Sequence, residues 1–390
     1  MLLAAGSAFA QGVSEAEAPE AAEEEESPKK LKPVLYYLID GTRNFSGGIA
    51  QGNTFMGALV TGADFDLGQI FSKSQGLQNV HFYIDTFGAF GRPSSGKTGD
   101  VQLALNTWSP ETFRLYQMWV DKEWQLKNGT KFSLRVGSQD INWEFQLTDS
   151  SYFLTNSSFG LSPEFMLAGP VGPSTFPYTS LGARAAWTFS ESFKVMAGAF
   201  DGVPADPNNI DRFNWDIGGD DGVMGIAEAS LSGKIRGMSG KASVGAWGYS
   251  GVGGAGAYVL LEQRIYEPRR GGVRGLTAFA RLGSILKEDN TLVDRSIAAG
   301  LTYTGILAGR PEDKLAFGVA AARAGAATIL KAEEELKTIT SFETAWELAY
   351  RAQIRPNVFV MPDFQYIRSP SFQTDVADAV TGGVRLEVNL

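Results

Sequence analysis

The 390-residue chain contains no cysteine and a single histidine, His81. Zinc sites built from Cys and His are therefore excluded, and a Ser-His-Asp triad would depend on one imidazole. His81 lies in the apolar stretch NVHFYIDTF, which favours a position in a strand wall over a catalytic role. We expect no cofactor and no metal, and the residue types present indicate a protein that is not an enzyme.

Long apolar runs are missing as well. No segment approaches the ~20 consecutive apolar residues of a membrane-spanning helix. A helical membrane protein is thereby excluded, but a membrane barrel is not, because its strands turn only every second residue toward lipid. Charged residues form 20% of the chain, which is low for a soluble enzyme. The net charge is −9 and there is no basic patch, so nucleic acid is not an expected partner.

The first 33 residues have a composition of their own. MLLAAGSAFAQ combines small apolar residues with an Ala8-Phe9-Ala10 cleavage pattern, and predicts the remnant of a secretory signal peptide over residues 1–10. Residues 11–33 contain seven Glu and three Lys and little that can be buried, which predicts a disordered periplasmic tail. We therefore expect an exported protein with its domain at residues 34–390.

From Val34 onward the dominant sequence period is two. In ETAWELAYRAQIR, Trp346 and Leu348 fall on one face, whereas Glu347 and Arg351 fall on the other. Strands with one apolar and one wet face, repeated along the chain, predict an all-β fold. The expected strands are 34–45, 54–67, 79–90, 111–125, 130–139, 179–189, 192–200, 223–232, 238–249, 256–266, 275–285, 294–307, 314–323, 341–354, 357–367 and 382–390.

The connections between these strands alternate in length. Short turns such as 126–129 and 309–313 alternate with long stretches such as 140–178 and 324–340. An even strand number, about 16, with short periplasmic turns and long extracellular loops is typical of a transmembrane antiparallel β-barrel. The alternation of apolar and polar residues continues to Leu390, so we expect the last strand to pair with the first.

Two glycine-rich motifs match signatures of nucleotide-binding proteins. GRPSSGKT at 91–98 matches the P-loop signature, but GDVQLALNTWSP behind it favours no helix, so we interpret the motif as an extracellular loop. GVGGAG at 251–256 precedes the strand-like AYVLLEQRIY and is interpreted as a turn. Asp64 and Asp66 are interpreted as carboxylates of a wet lumen, with a cation site or a glycosidase pair as the alternative.

Several segments resemble a known family. They include NTWSPETFRLYQMWVDKEW, FSLRVGSQDINWEFQLTDSSYFLTNSSFGLSPEF, GPSTFPYTSLGARAAW, AGAFDGVPADP, ILAGRPEDKLAFGVAAAR and ELAYRAQIRPNVFVMPDFQYIRSP, with the closing GGVRLEVNL. In this order, from about Leu59 to Leu390, they resemble the OprB-like carbohydrate-selective porins. The resemblance implies a sixteen-stranded barrel of the bacterial outer membrane that passes glucose-like mono- and disaccharides passively into the periplasm.

The same resemblance implies partners. They are small sugars as solutes, outer-membrane lipid, and the barrel assembly machinery, while the oligomeric state is left open. Outer-membrane barrels commonly end in an aromatic residue, and Leu390 departs from that pattern.

We expect the long connection 140–178 to fold into the lumen and narrow it. Sugar passage needs apolar rings for C–H faces beside polar groups for hydroxyls. The candidates from this loop are Trp143, Glu144, Phe145, Tyr152, Asn156, Glu164 and Phe165. The candidates from inward strand positions are Arg135, Arg184, Arg281, Glu347, Arg351 and Arg385. For a single ring the alternative is packing of the loop on the wall, and for a single arginine it is solvation of the lumen.

Two other functions stay open. A general or anion-type diffusion porin is one, because a sixteen-stranded barrel does not specify its solute. An exported, soluble β-rich carbohydrate-binding protein or enzyme is the other, and such a protein would lack an outward apolar band.

Overall fold

The computed structural model describes five stretches of the chain. They are residues 30–127, 129–205, 213–215, 222–287 and 291–390. The predicted signal remnant and most of the predicted acidic tail, residues 1–29, lie outside the described residues.

Sixteen antiparallel strands form one closed barrel, in which the strands follow one another in chain order. The all-β fold and the strand number predicted from the alternation are confirmed. The strands are Leu31–Ser46 (β1), Gly52–Asp66 (β2), Val80–Arg92 (β3), Thr112–Gln125 (β4), Lys131–Gln139 (β5), Ser180–Ser190 (β6), Phe193–Asp201 (β7), Val223–Ile235 (β8), Met238–Tyr249 (β9), Ala255–Tyr266 (β10), Gly275–Lys287 (β11), Val293–Thr304 (β12), Lys314–Ala324 (β13), Phe342–Arg355 (β14), Val358–Arg368 (β15) and Ala379–Asn389 (β16).

The sheet closes between its first and last strands. β1 pairs antiparallel with β16, with Tyr36 opposite Asn389 and Asp40 opposite Arg385. β1 also begins three residues before the expected start of the domain, because the backbone of residues 31–33 pairs with that of residues 63–65 in β2. The end of the predicted tail is therefore part of the barrel wall.

The alternation in β14 sorts its side chains between the lumen and the outer surface. Glu343 and Glu347 are fully buried inside the barrel, whereas Leu348 is 48% exposed and Ile354 is 55% exposed on the outside. The same split on the other strands produces an outer apolar band. Its exposed members include Leu134, Trp187, Val244, Val259, Leu282, Ile297, Leu301, Phe317, Phe364 and Val384. A soluble protein would not expose such a continuous apolar surface.

The two ends of the barrel differ. We call the end where β1 begins and β16 ends the terminal rim, and the opposite end the loop rim. Most terminal-rim connections are short, such as 191–192 and 356–357, whereas the loop rim carries 93–111 and 140–179. The predicted alternation in length has exceptions: the loop-rim connections 47–51, 250–254 and 288–292 are shorter than the terminal-rim connections 67–79, 267–274 and 305–313.

Helical segments are short and lie in these connections. None of the helices in the described part of the chain has the length and hydropathy of a membrane-spanning helix. Within the described stretches the α-helices are Leu67–Ile70 (α1), Ser95–Thr98 (α2), Pro163–Met166 (α3) and Ala326–Glu334 (α4), and the 3-10 turns are Gln75–Leu77, Ile141–Trp143, Ser151–Phe153, Ser157–Phe159 and Pro370–Phe372. The P-loop-like motif contains α2, which ends at Gly99 with a φ of 78°, and the segment behind it is not helical.

Two loop-rim connections lie inside the barrel, loop A (residues 93–111) and loop B (residues 140–179). The entry of loop B into the lumen was expected, but that of loop A was not. Backbone N–H groups of Val101 and Gln102 donate to the Glu343 carboxylate, both at 2.9 Å. The N–H of Asn106 donates to the carbonyl of Thr155 at 2.7 Å, which joins the two loops. Val101 and Leu103 of loop A belong to one buried apolar cluster with residues of loop B such as Ile141 and Phe145.

Leu348 and Ile354 provide a test of the barrel's position in a membrane. Both point outward from β14, Leu348 near its middle and Ile354 at the terminal rim. We expect Leu348→Arg to lower the free energy of unfolding by about 2–4 kcal/mol and Ile354→Arg by about 0–1 kcal/mol, because the cost of a lipid-facing arginine depends on depth. Urea unfolding in phospholipid vesicles measures both, and equal losses would contradict the apolar band as the membrane-spanning surface.

Candidate functional site

Loop B is held in the lumen by carboxylates of the wall. The Glu347 carboxylate accepts the backbone N–H groups of Thr155 at 2.5 Å and of Asn156 at 2.9 Å. Glu228 and Glu262 accept further backbone N–H groups of the loop, at 2.9 Å and 3.0 Å. Intramolecular hydrogen bonds contribute about 0.5–1.5 kcal/mol each. The wall therefore fixes the path of the loop at several separate points.

Two wall arginines complete this attachment. Arg281 donates to the carbonyls of Gly160 and of Gln146 in loop B. Arg385 binds the Asp40 carboxylate at 2.7 Å and donates to the side chain of Asn106 in loop A at 2.8 Å. Both arginines were predicted to line the pore, and both are almost completely buried between the wall and the loops.

Two cavities lie between loop B and the terminal rim. The first has a volume of about 810 Å³ and is bordered by a stack of aromatic rings. Tyr83 stacks on Trp119 with ring centroids 4.8 Å apart, and Trp143 meets Tyr83 edge-on at 5.5 Å. The guanidinium carbon of Arg135 lies 3.8 Å from the centre of the Trp119 ring, which is a cation–π contact. One side of this cavity thus combines apolar ring faces with a charged hydrogen-bond donor.

An ion-pair network borders the same cavity. Nη2 of Arg184 lies 2.6 Å from Oε1 of Glu144, and Nη2 of Arg135 lies 3.7 Å from that oxygen. Both arginines also bind Asp121, at 3.0 Å and 3.1 Å. Burial alone would raise the pKa of Glu144, but the two guanidinium groups outweigh it and hold the pKa below its usual value. Glu144 is therefore ionised at neutral pH.

The second cavity, of about 860 Å³, is bordered by Tyr152 and Arg351. Nη2 of Arg351 lies 2.7 Å from Oε1 of Glu387, and the guanidinium covers the Phe359 ring at 3.3 Å from its centre. The Tyr152 hydroxyl donates to Glu387 at 3.1 Å. On the same wall, Nζ of Lys314 lies 4.7 Å from the centre of the Phe153 ring of loop B. Here too charged groups and ring faces border one space.

The predicted site residues fall into two groups. Those that line a cavity are Arg135, Trp143, Glu144, Tyr152 and Arg351. Those that are buried between loop and wall are Phe145, Asn156, Glu164, Phe165, Arg184, Arg281, Glu347 and Arg385. The positions of the second group support a role in holding the loops against the wall. For Phe145 and Phe165, packing of the loop on the wall was the alternative to solute contact.

Phe165 and Glu164 illustrate the buried group. Phe165 stacks on Trp247 of β9 with ring centroids 4.7 Å apart. Glu164 accepts the hydroxyl of Ser296 of β12 at 2.5 Å, and its burial raises its pKa. These side chains attach loop B to the wall opposite the aromatic stack.

Some residues that border the cavities escaped the sequence reasoning. They are Tyr83, Trp119, Lys194, Lys241, Glu262, Lys314 and Phe359. Strict alternation along β7 and β13 would have found the inward Lys194 and Lys314. For Trp119 the pattern fails, because a register shift in the β3–β4 pairing changes which residues of β4 face inward.

His81 and Asp64, which lie near the terminal rim, also face the lumen. Nδ1 of His81 lies 3.1 Å from Oδ1 of Asp64, which borders the first cavity. Across the described stretches of the chain, no group of three or more His, Cys, Asp or Glu residues could hold a metal ion. The interpretation of Asp64 as a lumen carboxylate agrees with this position.

Comparison with known sequences assigns the barrel to a protein family. The profile described as carbohydrate-selective porin, OprB family, matches residues 51–255 and 248–390, which is most of the chain. This chain belongs to the OprB family. It is therefore a porin of the bacterial outer membrane, and its barrel is a channel rather than a catalyst.

Individual OprB-family relatives are distant in sequence. The porin QuiX of Acinetobacter baylyi is 24% identical, with 90% of this chain and 87% of the relative covered. Porin B of Pseudomonas aeruginosa is 21% identical, with coverages of 90% and 86%. The high-pH structure of OprB from Pseudomonas putida superimposes with a TM-score of 0.80 at 21% identity, covering 93% of this chain and 94% of that one. The last comparison establishes the same fold.

Glu347 is the position at which to test the attachment of loop B. We expect Glu347→Ala to raise single-channel conductance and current noise, because two buried N–H groups lose their acceptor and the loop tip is released. Planar-bilayer recordings measure both quantities. Glu191→Ala, which removes an exposed carboxylate from the first cavity without touching loop B, is the control. Identical recordings for the Glu347 variant and the wild type would contradict the attachment.

Proposed function

We propose that this porin gives passive, carbohydrate-selective diffusion of small neutral sugars, mono- and disaccharides, into the periplasm. In this proposal the loop rim faces the cell exterior and the terminal rim faces the periplasm. The observation that carries it is the stack of Trp143, Tyr83 and Trp119, capped by Arg135, beside the ionised Glu144. The family assignment supports a carbohydrate solute.

The chemistry of the first cavity suits a sugar. The C–H faces of a pyranose pack on aromatic rings, and its hydroxyl pairs accept from a guanidinium and donate to a carboxylate. Each of these contacts is weak enough for release, which a channel requires. Because Arg135 already has carboxylate partners, it offers hydrogen bonds without adding a large net positive charge.

A second candidate solute class is small anions. Lys194 and Lys241 border the first cavity, and within the described residues neither has a carboxylate at ion-pair distance. Such ammonium groups attract anions into a lumen. Arg135 and Arg184 do not add to this attraction, since Asp121 and Glu144 neutralise them. The paired charges of the cavity favour neutral sugars over anions. Because Lys194 and Lys241 are without carboxylate partners in the described residues, the experiment below also includes an anionic solute.

The proposed sugar contact is tested by conductance block. Purified porin in planar bilayers is titrated with glucose, maltose and sucrose, and with gluconate as the anionic probe. We expect neutral sugars to block the current and Trp143→Ala to weaken that block about five-fold, as expected for a lost ring contact of about 1 kcal/mol. Trp187→Ala, which removes a ring from the outer surface, is the matched control and leaves the block unchanged.

The outcomes separate the alternatives. A purified, folded protein that forms no channel would contradict conduction altogether. Channels that no sugar blocks would leave a general diffusion porin, and selective passage of gluconate would favour the anion channel.

A further inference from the structure

The charged side chains on the outer wall are unevenly distributed. Among the described strand positions that are exposed on the outer face there is no aspartate or glutamate, although acidic residues are frequent inside the barrel; Asp201 and Asp294, at the loop-rim ends of β7 and β12, are buried. The basic residues at such positions lie mostly at the loop-rim ends of strands. They are Arg43, Arg92, Lys287, Arg295, Arg323 and Arg368 near the loop rim, and Lys122 and Arg355 near the terminal rim. The lipid-facing wall is therefore positively charged where it meets one leaflet.

Arg295 and Arg323 form a pair within this set. They stand opposite one another in the β12–β13 register, on the outward face that also carries Ile297 and Phe317. Like charges directly opposite on neighbouring strands are destabilising unless an anion lies between them. Nη2 of Arg323 binds Asp294 at 2.8 Å, whereas Arg295 is exposed and has no carboxylate at ion-pair distance in the described part of the chain.

An apolar groove adjoins the arginine pair. It has a volume of about 570 Å³ and is lined mainly by the outward side chains of Val244, Val259, Leu282, Ile297 and Phe342, with the two arginines at its border. A groove of this kind on a membrane-facing wall accepts a hydrocarbon chain. The neighbouring guanidinium groups provide planar, paired donors that match phosphate oxygens.

We propose that Arg295 and Arg323 bind a phosphate of lipid A, the phosphorylated glycolipid of the outer leaflet, while one of its acyl chains lies in the groove. The choice of lipid A over a glycerophospholipid depends on the outward orientation of the loop rim proposed above. It does not depend on which solute the channel conducts. The site thus holds a structural lipid on the wall of β9–β14, on the side of the sheet that faces away from the lumen.

Native mass spectrometry of the detergent-solubilised porin tests the site. Bisphosphorylated lipid A, phosphatidylglycerol and phosphatidylcholine are titrated separately. We expect Arg295→Gln to weaken lipid A binding about ten-fold, since one charge-assisted contact to phosphate is lost. Arg323 is left in place because Asp294 would lose its partner. Arg92→Gln removes an outward loop-rim arginine outside the groove and is the matched control.

A second variant tests the groove independently of charge. Ala257→Trp places a ring among the groove residues and should displace the acyl chain, with a similar loss of lipid A binding. Resistance to heat unfolding on gels and unchanged conductance verify that each variant is folded. Unchanged lipid A binding by Arg295→Gln would overturn the proposal, as would equal losses for the Arg92 and Arg295 variants. Preference for phosphatidylglycerol over lipid A would overturn the choice of lipid.

Discussion

Backbone N–H groups that enter a barrel need acceptors, and here the wall supplies them as carboxylates. Glu347 accepts from the tip of loop B, and Glu343 accepts from two consecutive residues of loop A and from Ser371 at 2.6 Å. Without these acceptors the buried amides would remain unpaired, which costs about 1–3 kcal/mol each. Both cavities depend on this attachment, because loop B forms a wall of each.

The charges of this porin are arranged differently on its two surfaces. Inside, arginines and carboxylates form pairs across neighbouring strands and loop B, as with Arg184 and Glu144. Such pairing leaves directional hydrogen-bonding groups in the lumen without a strong net field. Outside, basic groups near the loop rim have few acidic partners, and Arg295 has none within the described chain. The inner surface therefore suits weak contacts with polar solutes, and the outer surface suits persistent contact with an anionic lipid.

Alternation was sufficient to predict the strands, their number, their closure and the facing of β14, because the chemistry of the two sides of a membrane barrel differs at every second residue. The length of loop B likewise predicted its entry into the lumen. The entry of loop A was missed because its glycine- and serine-rich start was interpreted as an extracellular loop, and only the three-dimensional structure shows Val101 and Gln102 bound to Glu343 of the wall. The sequence does not distinguish Phe165 from Trp143, because both are aromatic residues of loop B. Phe165 is buried because it stacks on Trp247 of the wall, a contact that only the three-dimensional structure shows.

Arg385 joins the closure of the barrel to the lumen. It lies on the last strand, binds Asp40 on the first, and donates to Asn106 of loop A, which in turn donates to loop B. This chain of contacts exists only when the two ends of the sheet have met. The seam of the cylinder and the passage inside it thus share this one side chain, so the full set of loop contacts is present only in the closed cylinder.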